Sequence, residues 1–192
     1  MMFLLPVCIF FLWGLVCVSS RMTGRAMIVR IWLFVCLIAA IGMALVIFYM
    51  TVLRRGISER GIILIPFYSF YEARRQPEIY RQMLMNVFLF EPLGLTLPFG
   101  LRWLKIQLQK QGGIRLGDMR SSVVDDDPAI QRISRISVAQ ISFLLCLALS
   151  ILIEFCQGLF SRGRAEVDDV IMNLLGASIG ILCYKICDFI KI

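Results

Sequence analysis

Apolar residues run along this chain in long blocks, with neither the alternation of a half-buried strand nor the one-sided spacing of a surface helix. Residues 31–53 are the clearest case, twenty-three positions without a charge. At about 1.5 Å per residue, a helix of that length crosses the ~30 Å hydrocarbon layer of a bilayer. Residues 1–19, 83–101, 136–160 and 170–186 form four further blocks. The third block in chain order carries Asn86, Glu91, Pro92 and Pro98. The fourth holds a single acid, Glu154, and the fifth holds Asn173, with Lys185 near its end. Such blocks predict an all-α fold, a polytopic membrane helix bundle of about five transmembrane helices with the third kinked or broken. Residues 61–71 are apolar and aromatic but too short to span. They predict a short interfacial or re-entrant segment, with Tyr68 and Tyr71 at headgroup level and Pro66 as a kink or packing point.

The blocks divide the chain into an extra N-terminal transmembrane helix with a short basic loop (1–30) and a main membrane domain (31–192). The first block lacks the basic start of a secretory signal and is followed by Arg21, Arg25 and Arg30. A retained helix with its N-terminus outside is the reading this favours. Counted loop by loop, that orientation puts twelve basic residues on the inner side and eight on the outer, with the C-terminus inside. Six arginines between residues 54 and 81 fall on the outer side, partly offset by Glu59, Glu72 and Glu78. Residues 102–136 read as a flexible inner connector whose Asp127-Pro128 starts the next helix. Its acidic triplet, Asp125 to Asp127, lacks the alternating ligand spacing of a calcium loop and reads as a solvated cap.

Composition then narrows the chemistry. Apolar residues make up 59 % of the chain and charged ones only 17 %, and the mean hydropathy is +0.83. Lipid must be part of the solvent. There is no histidine, which removes Ser-His-Asp and Cys-His nucleophiles and every His-ligated metal site. Seven cysteines, an odd number with no CxxC pair, lie in or beside the apolar blocks and read as small hydrophobes. Neither a metal nor a cofactor is expected. The net charge of +7 sits between apolar blocks, where it sets orientation rather than attracting nucleic acid.

Polar groups inside such blocks are expensive and draw attention. Asn86 and Phe90 share a helix face, Pro92 removes a backbone donor, and Gly94 permits close approach. Glu154 and Gln157 point the same way from the end of the fourth block. Arg164, Glu166, Asp168 and Asp169 lead into the fifth, where acids also suit a helix start. Asp169, Asn173, Gly176 and Gly180 form one stripe, and Gly176 with Gly180 makes a GxxxG surface for tight packing. Taken singly, each group has a bland explanation as a kink, an anchor, a cap or a packing surface. Together Asn86, Glu154, Gln157, Arg164, Glu166, Asp168, Asp169 and Asn173 gather at one end of their helices, and they define a candidate polar cavity open to the outer leaflet. Arg164 is the obvious counter-ion for Glu154 or Asp169.

One ordered series is more specific than any of its pieces. Leu64-Ile65-Pro66-Phe67, Asn86-x3-Phe90-x-Pro92-x-Gly94, Glu154-x2-Gln157, and Arg164 followed by Asp168-Asp169-x3-Asn173-x2-Gly176-x3-Gly180 resemble the VanZ-like family of bacterial membrane proteins over residues 31–186. The resemblance implies a small multi-pass helical protein of the bacterial cytoplasmic membrane. It also implies an envelope role, since the family's namesake lowers susceptibility to the glycopeptide teicoplanin. Glu91 stands where the family has an apolar residue. Glu166 replaces a common Asp and lies one residue closer to Arg164 than usual, and the first block and the long third loop are additions.

The leading expectation is therefore a membrane protein acting at the outer face in envelope homeostasis or glycopeptide resistance, with no catalytic role assigned. Its expected partners are the lipid bilayer and an envelope lipid, a lipid-linked precursor or a glycopeptide. The alternatives are an intramembrane enzyme on an envelope lipid, with Glu154 and Asp169 as acid and base and Arg164 on a phosphate, and a small transporter or accessory subunit.

Overall fold

The structure, a computed structural model, describes residues 26–54, 56, 61–118, 137–161 and 163–189, without the side chains at 26–29, 109–118 and 188–189. The expected first span and the Asp125–Pro128 stretch lie outside the described residues. Helix α1 (Ala26–Phe48) runs into a π-helical turn, Tyr49–Leu53. A short strand β1 (Gly61–Ile63), a one-and-a-half-turn helix α2 (Tyr68–Ala73) and the long helix α3 (Glu78–Asp118) follow. Helix α4 (Val138–Leu159), strand β2 (Arg164–Glu166) and helix α5 (Val167–Phe189) complete the order. Among the described residues four helical stretches, Arg30–Leu53, Glu78–Leu108, Val138–Leu159 and Val167–Cys187, are long and apolar enough to cross a membrane.

Two boundaries differ from the pattern reading, each for a local reason. The third span is one assigned helix of 41 residues that continues through Pro92 and Pro98. The Thr96 hydroxyl donates back to the Pro92 carbonyl at 2.8 Å, the i−4 bond that a threonine makes within its own helix. The helix also continues past residue 101, because the segment 102–111 is rich in Leu, Lys, Gln and Arg, all good helix formers. The fourth helix starts later than residue 136, with Ser137 as its N-cap. The Ser137 hydroxyl accepts from the Ala139 amide at 3.3 Å, and the Gln140 side chain accepts from the Ser137 amide at 3.0 Å. That reciprocal pair is a capping box.

Helices α3 and α5 run parallel at the centre and make the most extensive contact in the fold, with α1 and α4 packed antiparallel around them. Lipid tails are as apolar as leucine, so close backbone approach rather than solvent exclusion drives such contacts. Glycines supply it. A methyl group added at Gly94 would fall on the Ala177 carbonyl, one at Gly176 on the Val87 carbonyl, and one at Gly180 on the Glu91 carbonyl. Phe90, fully buried, anchors the core against Ile47, Ile153, Cys146 and Ala177. A second cluster joins Leu33, Cys36, Leu95, Phe99 and Tyr184, with Phe99 and Tyr184 edge to face at 4.7 Å. Large apolar side chains such as Ile31, Ile38, Leu45, Leu144, Phe155 and Leu182 point outward, the surface a bilayer would cover.

Strands β1 and β2 pair in parallel, with Gly61 opposite Arg164, Ile62 opposite Ala165 and Ile63 opposite Glu166. They lie at the end of the bundle where α1 finishes, α3 begins, α4 finishes and α5 begins. The pairing brings the 61–73 segment onto the polar ends of α4 and α5.

Candidate functional site

The short strand β2 sets the site. Residues two apart on a strand share a face, so Arg164 and Glu166 both meet helix α2, whose Ser69 and Glu72 are three apart and also share a face. Arg164 Nη2 lies 3.1 Å from Glu72 Oε2, and Arg164 Nε lies 3.0 Å from Glu166 Oε1. The second oxygen of Glu166 accepts from the Ser69 hydroxyl at 3.0 Å. Gly61 lets the arginine stem pass: a Cβ there would come within 3.1 Å of Arg164 Cγ. Partial burial works against the Arg164 charge, but the bonds and charges of Glu72 and Glu166 outweigh it and hold the guanidinium above its ordinary range. The counter-ions expected from the sequence, Glu154 and Asp169, are thus replaced by Glu72 and Glu166. A two-residue step inside β2 and a partner on α2 are closer to hand than the helix ends beneath.

Below this rim the acids are tied to backbone and amide donors. Asp168, buried, accepts from the Phe67 amide at 2.6 Å and from the Ser69 amide at 2.7 Å. Those bonds fasten the start of α2. Pro66 does not kink a helix: it is the second residue of a turn closed by the Tyr68 amide donating to the Ile65 carbonyl at 3.4 Å. Phe67, the third residue, adopts φ 65°, as a type II turn requires. Glu154, at the end of α4, accepts from the Glu166 amide at 3.0 Å and so holds β2 to that helix.

Three further groups of the set link helices at greater depth. Asn86 donates to Asp169 at 2.8 Å, joining α3 to α5. Asn173 donates to the Ser150 hydroxyl at 2.9 Å, joining α5 to α4. Gln157 donates to the Thr51 carbonyl at 3.2 Å, joining α4 to the π turn. The eight candidates therefore collect at one end of the bundle, with Asn86, Glu154, Gln157, Asp168 and Asn173 buried and Arg164 exposed. Among the described residues no buried side-chain nitrogen or oxygen lacks a hydrogen-bond partner. No group of three or more Cys, Asp or Glu there is arranged to hold a metal ion.

An apolar cavity of about 360 Å³ opens beside this network. Ile62 and Leu64 form one wall, and Ile151, Phe155 and Leu159 of α4 form the other. Glu154 and Glu166 contribute polar edges. Its volume lies in the range that takes an acyl chain or a drug-sized molecule. Ile62, Leu64 and Phe155 are strongly exposed, so the cavity opens at the side of α4 and β1.

Sequence reasoning passed over four participants. Glu72 had been counted only as a loop charge; Ser69, Thr51 and Ser150 carry no sequence signal beyond being polar, and their partners lie far along the chain.

The sequence model of the VanZ/LLP1 family matches residues 31–188. The chain belongs to the VanZ-like family. No curated protein and no solved structure matches it. At the polar end of this VanZ-like chain Arg164 and Asp168 reach the 61–73 segment, and Asn86 and Asp169 clamp the central helices. Glu91 stands apart from the polar end: its carbonyl packs on Gly180, further along α5.

Proposed function

We propose that this VanZ-like protein acts at the outer face of the cytoplasmic membrane, where it binds the acyl part of an envelope molecule and so modulates envelope homeostasis or susceptibility to acylated glycopeptides of the teicoplanin type. The single observation behind this reading is the sideways apolar cavity beside a fixed charged rim. An amphiphile lying in the leaflet would slide its chain between Ile62, Leu64 and Phe155 and leave its polar part against Arg164, Glu72 and Glu166. The basic-residue count supports an outer placement of that end. The carboxylates Glu154 and Asp169 hold β2 and Asn86, which favours a binding role for the site over acid–base chemistry.

The test uses a residue that lines the cavity and faces lipid. Ile151 is half exposed, so Ile151→Trp fills the cavity without disturbing the core. In cells producing the full chain, teicoplanin susceptibility is measured alongside that to a glycopeptide lacking an acyl chain. The wild type should protect against the acylated compound only, and Ile151→Trp should lose that protection at equal membrane levels. Unchanged protection in Ile151→Trp would sink the proposal. Arg164→Cys in a background without the seven native cysteines, labelled by a membrane-impermeant reagent on whole cells, checks the outer placement separately.

A further inference from the structure

Glu91 is the acid that the polar network leaves out. It stands thirteen residues into α3, about 20 Å of helix from Glu78, beside Gly180, which is equally far along α5 from Val167. A bilayer around the four spans is hydrocarbon at that depth. Among the described residues the Glu91 carboxylate makes neither a hydrogen bond nor an ion pair, and the side chain is partly exposed. It lies within electrostatic reach of the Cys183 thiol, so it sits along the line where α3 meets α5. Leu84, two turns away on the same face of α3, is exposed, and so are Ile179 and Ile186, which share a face of α5 with Cys183. No cation of the chain stands at this depth. Residues 1–19, 31–53, 82–101, 138–159 and 167–184 contain neither Lys nor Arg. On α3 the flanking cations, Arg81 and Arg102, are ten and eleven residues off, at least about 15 Å of helix. Lys185 lines the groove between α4 and α5 instead.

We propose that the α3–α5 face around Glu91 is a docking surface for a transmembrane helix of another membrane protein, one that carries a lysine or arginine near its midpoint. Charge complementarity identifies the occupant. An acid at membrane depth is costly, and such groups face partners or water rather than lipid. The chain holds no counter-charge there, so the counter-charge arrives on a second molecule. A solvated ion does not dwell in hydrocarbon. A cation stays at that depth when a membrane-spanning segment carries it, and a helix is the segment that satisfies its own backbone. Pairing relieves the acid and the cation together, which selects the partner against purely apolar helices. Leu84, Ile179 and Ile186 flank the acid with an apolar strip along which a helix can lie. A second copy of this chain would bring another Glu91 and no cation. The surface is separate from the Glu154 cavity, and the inference does not depend on what that cavity binds.

The experiment places the full-length protein in phosphatidylcholine vesicles with synthetic polyleucine helices of about 22 residues and reads association by energy transfer. One peptide has a central lysine, one a central glutamate, and one neither. The lysine peptide should bind at least about tenfold tighter than the other two. Glu91→Leu should abolish that preference, and Glu91→Lys should transfer it to the glutamate peptide. Ile179→Trp, which crowds the apolar strip, should weaken the lysine peptide. Glu78→Gln, which deletes an exposed acid at the start of α3, should change nothing. Equal association of the lysine and apolar peptides with the wild type, or none of either, would overturn the proposal. So would a lysine preference that survives in Glu91→Leu. A single-chain alkylamine that displaces the lysine peptide at equal mole fraction would overturn the helix as occupant and assign the site to a small amphiphilic amine. In detergent without peptide, Glu91→Leu should melt at or above the wild type, because it removes an unpaired acid. A lower melting temperature would reveal a partner within the chain and overturn the proposal equally.

Discussion

One hundred and one residues separate Phe67 from Asp168, yet the Phe67 amide donates to an Asp168 carboxylate oxygen at 2.6 Å. The second oxygen takes the Ser69 amide at 2.7 Å. Phe67 is held at φ 65°, ψ 12°, left-handed backbone that costs an L-residue about 1–2 kcal/mol. A charged acceptor with two aligned donors offsets that cost, since hydrogen bonds to charged groups contribute about 1.5–3 kcal/mol each. Asp168 therefore does not cap its own helix. It fixes the turn that presents the exposed side chains of Ile65, Phe67 and Tyr71.

Asp168→Asn tests that account. An asparagine keeps the volume but brings one acceptor and one donor to a place with two donors. Asp168→Asn should lower stability by about 2–4 kcal/mol, nearly as much as Asp168→Ala. Phe67→Gly, which removes the left-handed penalty, should be neutral or stabilising by about 1 kcal/mol in detergent. Chemical denaturation of the detergent-solubilised protein reads both. An Asp168→Asn variant as stable as the wild type would show that neither the charge nor the two-donor arrangement matters.

The central helix pair predicts a sharp contrast among glycines. At Gly176 and Gly180 an added methyl would meet backbone carbonyls of α3, and backbone cannot swing aside. Gly176→Ala and Gly180→Ala should each cost about 1–3 kcal/mol, the range for overpacking a close contact. Gly42 on α1 has no atom within 4 Å of an added Cβ, so Gly42→Ala should be neutral or stabilising by about 0.5–1 kcal/mol. Melting temperatures of the three variants, ranked against the wild type, check the contrast.

The apolar blocks made the spanning helices legible because in lipid every backbone donor and acceptor must be satisfied within the segment, and a helix does this. The residues of the polar end were legible for the complementary reason: Glu154, Asn86 and Asn173 are costly where they stand, so they draw notice without any knowledge of their partners. The partners themselves were not legible. Arg164 reaches Glu72 only because β1 and β2 pair in parallel, and a three-residue strand of Arg-Ala-Glu has no period that announces a strand. Pro92 reads as a helix breaker in one dimension, but two residues on Gly94 packs directly on Ala177 of α5, and the helix runs on.

The π turn at the end of α1 yields a third prediction. There the Arg54 amide donates to the Tyr49 carbonyl at 2.9 Å, five residues back, and the widened turn lets the Thr51 carbonyl accept from Gln157 at 3.2 Å. Gln157 is 1 % exposed, so Gln157→Leu keeps the packing and loses the bond. It should destabilise the protein by about 1–3 kcal/mol and raise hydrogen exchange in residues 49–54 more than in the rest of α1. Uniform exchange along α1 in that variant would show that Gln157 does not hold the turn.

Arg164 should separate stability from function. Its side chain is 43 % exposed where it meets Glu72 and Glu166, and an ion pair in that setting contributes at most about 1 kcal/mol. Arg164→Gln should therefore fold and insert normally. Its folded-state pKa is raised, so whatever stability the charge contributes is fully present below the unfolded value and is lost only as pH climbs through the folded one, far into the alkaline range. The stability difference between Arg164→Gln and the wild type should accordingly stay flat from about pH 6 to 10. Arg164→Lys keeps the charge, but a single ammonium cannot reproduce the Nη2 contact to Glu72 and the Nε contact to Glu166 together. If the rim positions the polar part of a bound amphiphile, both variants should lose protection against the acylated glycopeptide while melting within a few degrees of the wild type. Protection that survives in Arg164→Lys but not in Arg164→Gln would mean that the site reads charge alone, and the fixed two-acid geometry would then play no part in recognition.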